Sequence, residues 1–191
     1  MRIGSRDMER AAQAARRIGN GASGHTNAEA AAGADVVILT VPVEAQIATL
    51  KNVRPSLRPG TVLVDATVPL EAAIGGRVSY PLALWSGSAA QQAARYVPEG
   101  VSVVAAFHGL SAELLAQVDR PVNCDVLMCG DNSEAKGVVS ELVAMLPGAR
   151  AIDAGPLENA RMIEVVAALL ISLNIRHKVK HAGVRITGLD S

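Results

Sequence analysis

A chain of 191 residues that is half apolar can fill the core of one sizeable domain, or of one domain with a helical appendix, which excludes a disordered polypeptide. Lysine plus arginine equals aspartate plus glutamate at 18 each and aromatic residues are 2%, so neither a global field nor a base-stacking surface directs the protein to nucleic acid or an anionic membrane. No basic leader with an apolar core opens the sequence, and the most apolar stretch, Met162 to Ile175, carries Glu164 and is shorter than the roughly 20 residues of a membrane span, so a cytoplasmic protein is expected.

In chain order, Arg2-Ile3-Gly4-Ser5 reads as the end of a strand. A helix follows over about Asp7 to Ile18, with Met8, Ala11, Ala12, Ala15 and Ile18 inward, and Gly19 ends it. Ala28 to Ala32 is a short alanine helix. Ala34 to Val41 (ADVVILTV) is a continuous β-branched run, the pattern of a central parallel strand buried on both faces. Pro42 leads into a helix over about Glu44 to Val53, and Thr61 to Ala66 (TVLVDA) repeats the buried-strand pattern. Gly75 to Gly87 is a loop, about Ser88 to Tyr96 a helix, and Val101 to Phe107 (VSVVAAF) the next strand.

A further strand is expected from Cys124 to Cys129, with the two cysteines on opposite faces and reduced. Asp131 and Glu134 have capping-box spacing for a helix reaching Met145, and Arg150 to Asp153 forms an edge strand. The last helix, about Asn159 to Lys178, is apolar on most of its circumference, which points to a homodimer interface. The alternation predicts an α/β, Rossmann-type doubly wound, mostly parallel sheet over 1–157, followed by a helix and basic tail over 158–191.

A literal G-x-G-x-x-G stands at Gly19, Gly21 and Gly24, but these glycines follow a helix, whereas a pyrophosphate turn follows a strand and opens a helix. They read as a loop. The end of the second strand of a Rossmann unit meets the adenosine ribose, and Ser5 with Arg6 sits there, favouring NADP over NAD if a dinucleotide binds. From these residues alone a solvated arginine beside a helix cap explains the same tripeptide.

GSRD at Gly4 to Asp7, ADVVILTVP at Ala34 to Pro42, VDATVPL at Val64 to Leu70, CGD at Cys129 to Asp131 and DAGPLENAR at Asp153 to Arg161 recur in register. Together they resemble the NADPH-dependent coenzyme F420 oxidoreductases, over nearly the whole chain. The resemblance implies hydride transfer between NADP and the deazaflavin coenzyme F420, with the protein aligning the rings and excluding water. It implies that Ser5 and Arg6 contact the 2′-phosphate and that Thr40, Val41 and Pro42 lie along the nicotinamide half. Val68, Pro69, His108, Gly109 and Leu110 would line the deazaflavin side, although Gly109-Leu110-Ser111 departs from the family's run after the histidine. Family members begin with a further strand, a glycine turn and a helix, so this sequence is expected to lack the pyrophosphate site and the middle of the sheet. The alternatives are a cofactor-binding or regulatory paralogue without turnover, or an NADP-dependent reductase of another acceptor.

Other polar residues have plainer expectations. His108 ends a strand and either donates to a cofactor or bonds to backbone. Asp65 should be held by a backbone amide or helix cap. Arg161 and Glu164, one turn apart, should form a local ion pair. His177 and His181 share a helical face, but Arg176, Lys178 and Lys180 crowd them, so a solvated basic tail rather than a metal site is expected.

Overall fold

The computed structural model describes residues 1–117 and 120–189, which form seven strands and seven α-helices. β1 (Arg2–Ser5) and β2 (Ser23–Thr26) make a small parallel pair by themselves. The main sheet has the order β3 (Val36–Leu39), β4 (Val62–Asp65), β5 (Ser102–Ala105), β6 (Asp125–Gly130), β7 (Arg150–Asp153). Its pairs are parallel except β5 with β6.

Helices cover both faces, as the continuous apolar runs require. Successive side chains of a strand point to opposite sides. Leu63, Val103 and Ala105 therefore meet α3 (Val43–Val53), α4 (Ala89–Ala94) and α7 (Ala160–His177) through Leu50, Ala90, Ala93 and Ile163. Val62, Val64 and Val104 turn the other way, onto Val139 and Val143 of α6 (Ser133–Ala144). No helix among the described residues is long and apolar enough to cross a membrane.

α1 (Met8–Ile18) starts at Asp7, whose carboxylate accepts from the amides of Glu9 and Arg10, and stops at Gly19 with φ 66. Ala11 and Ala15 are buried as expected, but Met8 and Ile18 are 48% and 45% exposed. A sheet of two short strands is too narrow to cover the ends of the helical face. Gly24, in a strand that the polar SGHT run did not signal, permits close helix–strand packing: a Cβ there would stand 2.4 Å from the Ala12 nitrogen. The three glycines therefore serve a helix end, a turn and a packing contact.

Two strand-level expectations change. β3 is an edge of the main sheet, with Ile38 48% exposed, because β4 pairs with one side only. Its other side faces a crevice of about 140 Å³ whose far wall is Arg2 and Gly4 of β1, with Asn27 and Ala31 of α2 (Asn27–Ala31) beside them. Asp131 does not cap α6; Asn132 does, accepting from Ala135, while Asp131 accepts from the Leu157 amide and so ties β6 to the start of α7. A short helix, α5 (Ala112–Leu115), follows His108 and is capped by Ser111.

The tail is not simply solvated. α7 ends at His177, so His177 and His181 do not share a helix, and both are exposed. Beyond it the chain returns along β6: the Asp125 amide donates to Val184 at 2.8 Å, and the Asp125 carboxylate binds Arg150, Arg185 and the Ile186 amide. These groups, Arg150 first, hold that carboxyl down at about 2. Cys124 and Cys129 are free, buried and in separate clusters.

Candidate active site

In doubly wound sheets ligands collect beyond the carboxyl ends of the parallel strands. Ser5 and Arg6 leave β1 there, in a pocket of about 330 Å³ shared with Thr26, Asn27 and residues Ala45 to Asn52 of α3. That pocket joins the end of β1 to the helix leaving the end of β3. The Ser5 hydroxyl accepts from the Asp7 amide at 3.1 Å, and Arg6 is exposed with no hydrogen bond or ion pair among the described residues. An unengaged guanidinium beside a hydroxyl suits a phosphate. The amides opening α1 do not, because the Asp7 carboxylate already fills them.

Thr40 and Val41 reach the crevice between β1 and β3, and Pro42 begins α3 without a side-chain cap. Beyond β4 the chain is held by Asp65, fully buried. One carboxylate oxygen accepts from the Thr67 amide at 2.7 Å and the other from the Gln46 side chain. Gln46 also donates to the Ala89 carbonyl at 3.0 Å and accepts from Gln92 at 2.8 Å. Burial pushes Asp65 up to about 6, opposed by its Thr67 and Gln46 partners. The expected backbone-amide partner is thus present, and Asp65 fixes the Ala66 to Pro69 ledge.

Pro69 is one wall of a pocket of about 500 Å³, lined also by Pro81, Leu82 and Gly87 of the long loop and by Arg161, Met162, Glu164 and Val165 of α7. Its size and mainly apolar walls suit a ring ligand. Glu164 makes no ion pair with Arg161; it turns inward and accepts from the amides of Ala89 and Ala90 at 3.1 and 3.2 Å. Burial drives it up to about 8, with Asp65 adding to the rise and the two amides opposing it.

His108 follows β5 beside Thr67. Neither ring nitrogen makes a hydrogen bond of ordinary length and angle, the Thr67 backbone being the ring's one weak partner, and the Thr67 hydroxyl makes none, although all three atoms are buried. Burial pushes the imidazole down to about 4, the Thr67 backbone opposing, so it is neutral near pH 7. Unsatisfied buried polar groups cost about 1–3 kcal/mol each, which makes adjacent ones suited to a ligand's polar edge. Gly109 lies against Leu170 of α7, and Leu110 packs with Leu114 and Val122 away from these pockets.

Of the expected residues, Ser5 and Arg6 thus share the pocket of about 330 Å³, Thr40 and Val41 the crevice, and Pro69 the pocket of about 500 Å³, while Val68, His108, Gly109 and Leu110 line none of the three. The two larger pockets suit the groups of an NADP and a planar acceptor. Among the described residues no glycine turn opens a helix between them, and Gly19 and Gly21 lie at the opposite end of α1 from Ser5. Gln46, Arg161 and Glu164 were not expected at the site. Their signal was faint: Gln46 shares a helical face with Thr49, Leu50 and Val53, and Glu164 interrupts an apolar run.

A family profile described as NADP oxidoreductase, coenzyme F420-dependent, matches residues 1–69. The F420-dependent NADP reductase of Methanothermobacter thermautotrophicus is 49% identical over 98% of this chain and 84% of its own length. That of Methanocaldococcus jannaschii is 40% identical over 98% and 87%. Among solved structures, an Arthrobacter sp. FB24 protein proposed to be an F420-dependent NADP reductase superposes with a TM-score of 0.82 at 24% identity. That match covers 97% of this chain and 87% of the other, and shows the shared fold.

Proposed function

The chain belongs to the family of F420-dependent NADP reductases, and on that premise we propose that it transfers a hydride between NADP(H) and the deazaflavin coenzyme F420. The observation that carries this reading for these residues is the arrangement around the β4 ledge. A phosphate-suited corner at Ser5 and Arg6 and an apolar pocket at Pro69 accompany buried polar side-chain atoms on Thr67 and His108, which line neither pocket. When bound, the two cofactors supply the reactive carbons, so the protein needs no acid–base triad. Ser5 and Arg6 take the 2′-phosphate, and Thr40, Val41 and Pro42 lie along the nicotinamide half. Val68, Pro69, His108 and Gly109 form the deazaflavin side, where the neutral imidazole of His108 can donate to a carbonyl and the prolines exclude water, while Leu110, packed on Leu114 and Val122, is left out of it.

The direct test mixes the protein with NADPH and F420 and follows deazaflavin absorbance. Trp85, the single tryptophan, sits fully exposed in the loop beside the pocket and reports binding by fluorescence. Turnover is expected; absence of binding by either cofactor at about millimolar concentration overturns the assignment. The separation of β1 and β2 from the main sheet favours one second reading, a cofactor-binding paralogue, which predicts saturable binding of both without turnover.

In the same reading residues 1–157 form the nucleotide-binding unit and 158–191 a dimerisation unit. Met162, Val165 and Leu169 form an exposed apolar stripe on α7, which supports a homodimer. A monomeric mass at micromolar concentration would refute that. The two free, separately buried thiols support a reducing, cytoplasmic setting.

A further inference from the structure

α7 buries one apolar face and leaves a second uncovered. Ile163, Ala167 and Leu170 are buried, whereas Met162, Val165 and Leu169 stand half in solvent after the rest of the described chain has packed. With Glu158 one turn earlier and Ser172 and Arg176 beyond, all exposed, they recur at intervals of four, three, four, three and four residues. That spacing keeps a narrow stripe facing one way along a helix, the pattern of a seam between two helices. Met162 and Val165 also wall the pocket of about 500 Å³ at Pro69, and Trp85, fully exposed, stands between Ala83 and Gly87 of the same wall.

The charges on the stripe say what covers it. Glu158 and Arg176 stand at its two ends, about 27 Å apart at about 1.5 Å per residue. Neither has an ion pair or a side-chain hydrogen bond among the described residues. A stripe that is acidic at its start, apolar in its middle and basic at its end matches a copy of itself running the other way. Turned about a two-fold axis level with Ala167, Val165 meets the partner's Leu169, Met162 the partner's Ser172 and Glu158 the partner's Arg176, and each contact occurs twice. A parallel pairing would set like charges against each other at both ends and is disfavoured.

We propose that two copies of this chain pair through α7, antiparallel about Ala167, and that each supplies the closing wall of the other's Pro69 pocket, with Trp85 brought under the partner. Met162 and Val165 belong at once to the stripe and to the pocket, so a copy seated on the stripe stands over the pocket's open side. Hydride transfer between two rings needs a site from which water is excluded, and an exposed tryptophan beside an apolar seam is the kind of residue that anchors an interface. The inference rests on the nucleotide-binding reading above and deepens it, since it names the partner of the acceptor pocket and gives the homodimer a part in the reaction.

The test is the mass by sedimentation of the wild type, Leu169→Glu, Glu158→Arg, Arg176→Glu and the double charge reversal, read beside titrations with NADPH and with coenzyme F420. Leu169 is half exposed and outside the pocket wall, so Leu169→Glu should keep the wild-type circular dichroism and sediment as a monomer, with Trp85 emission moved to longer wavelength. Each single reversal should weaken the dimer about fivefold, because an exposed ion pair is a weak contact that here counts twice, and the double reversal should regain the wild-type association. Monomeric Leu169→Glu should bind F420 about tenfold more weakly, the factor that follows from uncovering about 55 Å² of apolar ring at about 25 cal/mol per Å². NADPH should stay within about twofold of the wild type, since the corner at Ser5 and Arg6 has no wall from α7. A wild type that is monomeric at micromolar concentration, or Leu169→Glu that still dimerises, overturns the pairing. Charge reversals that associate like the wild type overturn its antiparallel register. A monomeric Leu169→Glu that binds F420 as tightly as the wild type overturns the pocket closure and leaves the nucleotide reading intact. Binding of neither cofactor by the dimeric wild type overturns that reading and the closure with it, while the masses decide the pairing.

Discussion

β1 and β4 are both parallel strands of four residues, yet every residue of β4 is buried and none of β1 is. β4 has a strand on each side and helices on each face; β1 has one strand partner and opens on the crevice toward β3. Burial is a property of position in the sheet more than of the strand's own sequence, since apolar area stabilises only when neighbours remove it from water. The molecule therefore divides its work. The main sheet carries the fold, and the small β1–β2 unit carries Ser5 and Arg6 to a pocket shared with α3.

The largest effect should come from the main sheet. Leu63→Ala, at a fully buried position, should cost about 2–5 kcal/mol in urea unfolding. Ile3→Ala, half-buried in β1, should cost about 1 kcal/mol or less. Equal costs would erase the distinction. Next is recognition: Arg6→Ala should weaken NADPH by about 1.5–3 kcal/mol, the worth of a hydrogen bond to a charged group, and leave NADH binding and the unliganded melting temperature unchanged. An equal loss for NADH would remove Arg6 from the phosphate. Gly24→Ala sharpens the boundary between the halves. Its Cβ, 2.4 Å from the Ala12 nitrogen, forces α1 off β2 and should cost about 1–3 kcal/mol. Faster amide exchange should be confined to β1, β2 and α1; if β4 and β5 exchange faster too, the halves are one cooperative unit.

Much of the main half was legible in the sequence because its strands are uninterrupted β-branched runs and its helices have ordinary caps. The small half was less legible. β2 is SGHT, with no apolar alternation, and becomes a strand because Gly24 lets α1 pack on it. β3 reads as central from VVIL but lies at an edge, since local composition does not state which neighbours are present. Position and resemblance point to Ser5, Arg6 and Pro69 as candidates, and the structure puts Ser5 and Arg6 in one pocket and Pro69 in another. They do not point to the Glu164 carboxyl: an i to i+3 Arg161 partner is the local expectation, and only the tertiary approach of α4 offers two backbone amides instead.

The smallest effect concerns how stability responds to pH, and it too separates the halves. Asp65 and Glu164 are raised on folding, to about 6 from 3.8 and to about 8 from 4.5, so the folded state binds protons that the unfolded chain has released. Stability must then increase as pH falls from about 8 toward 5, by linkage. The opposite sign belongs to Asp125, held at about 2 against an ordinary 3.8, whose contribution is present above about 4 and lost below it. Glu29, the small half's lowered carboxyl, is solvent-exposed beside Thr26 and should leave little trace. Thermal melts should therefore show a midpoint a few degrees higher near pH 5.5 than near pH 8.5, with a decline below about 4. Glu164→Gln should flatten the upper part of that slope while Glu29→Gln leaves it intact. A profile that Glu29→Gln flattens would place the proton linkage in the small half and reverse the division of labour.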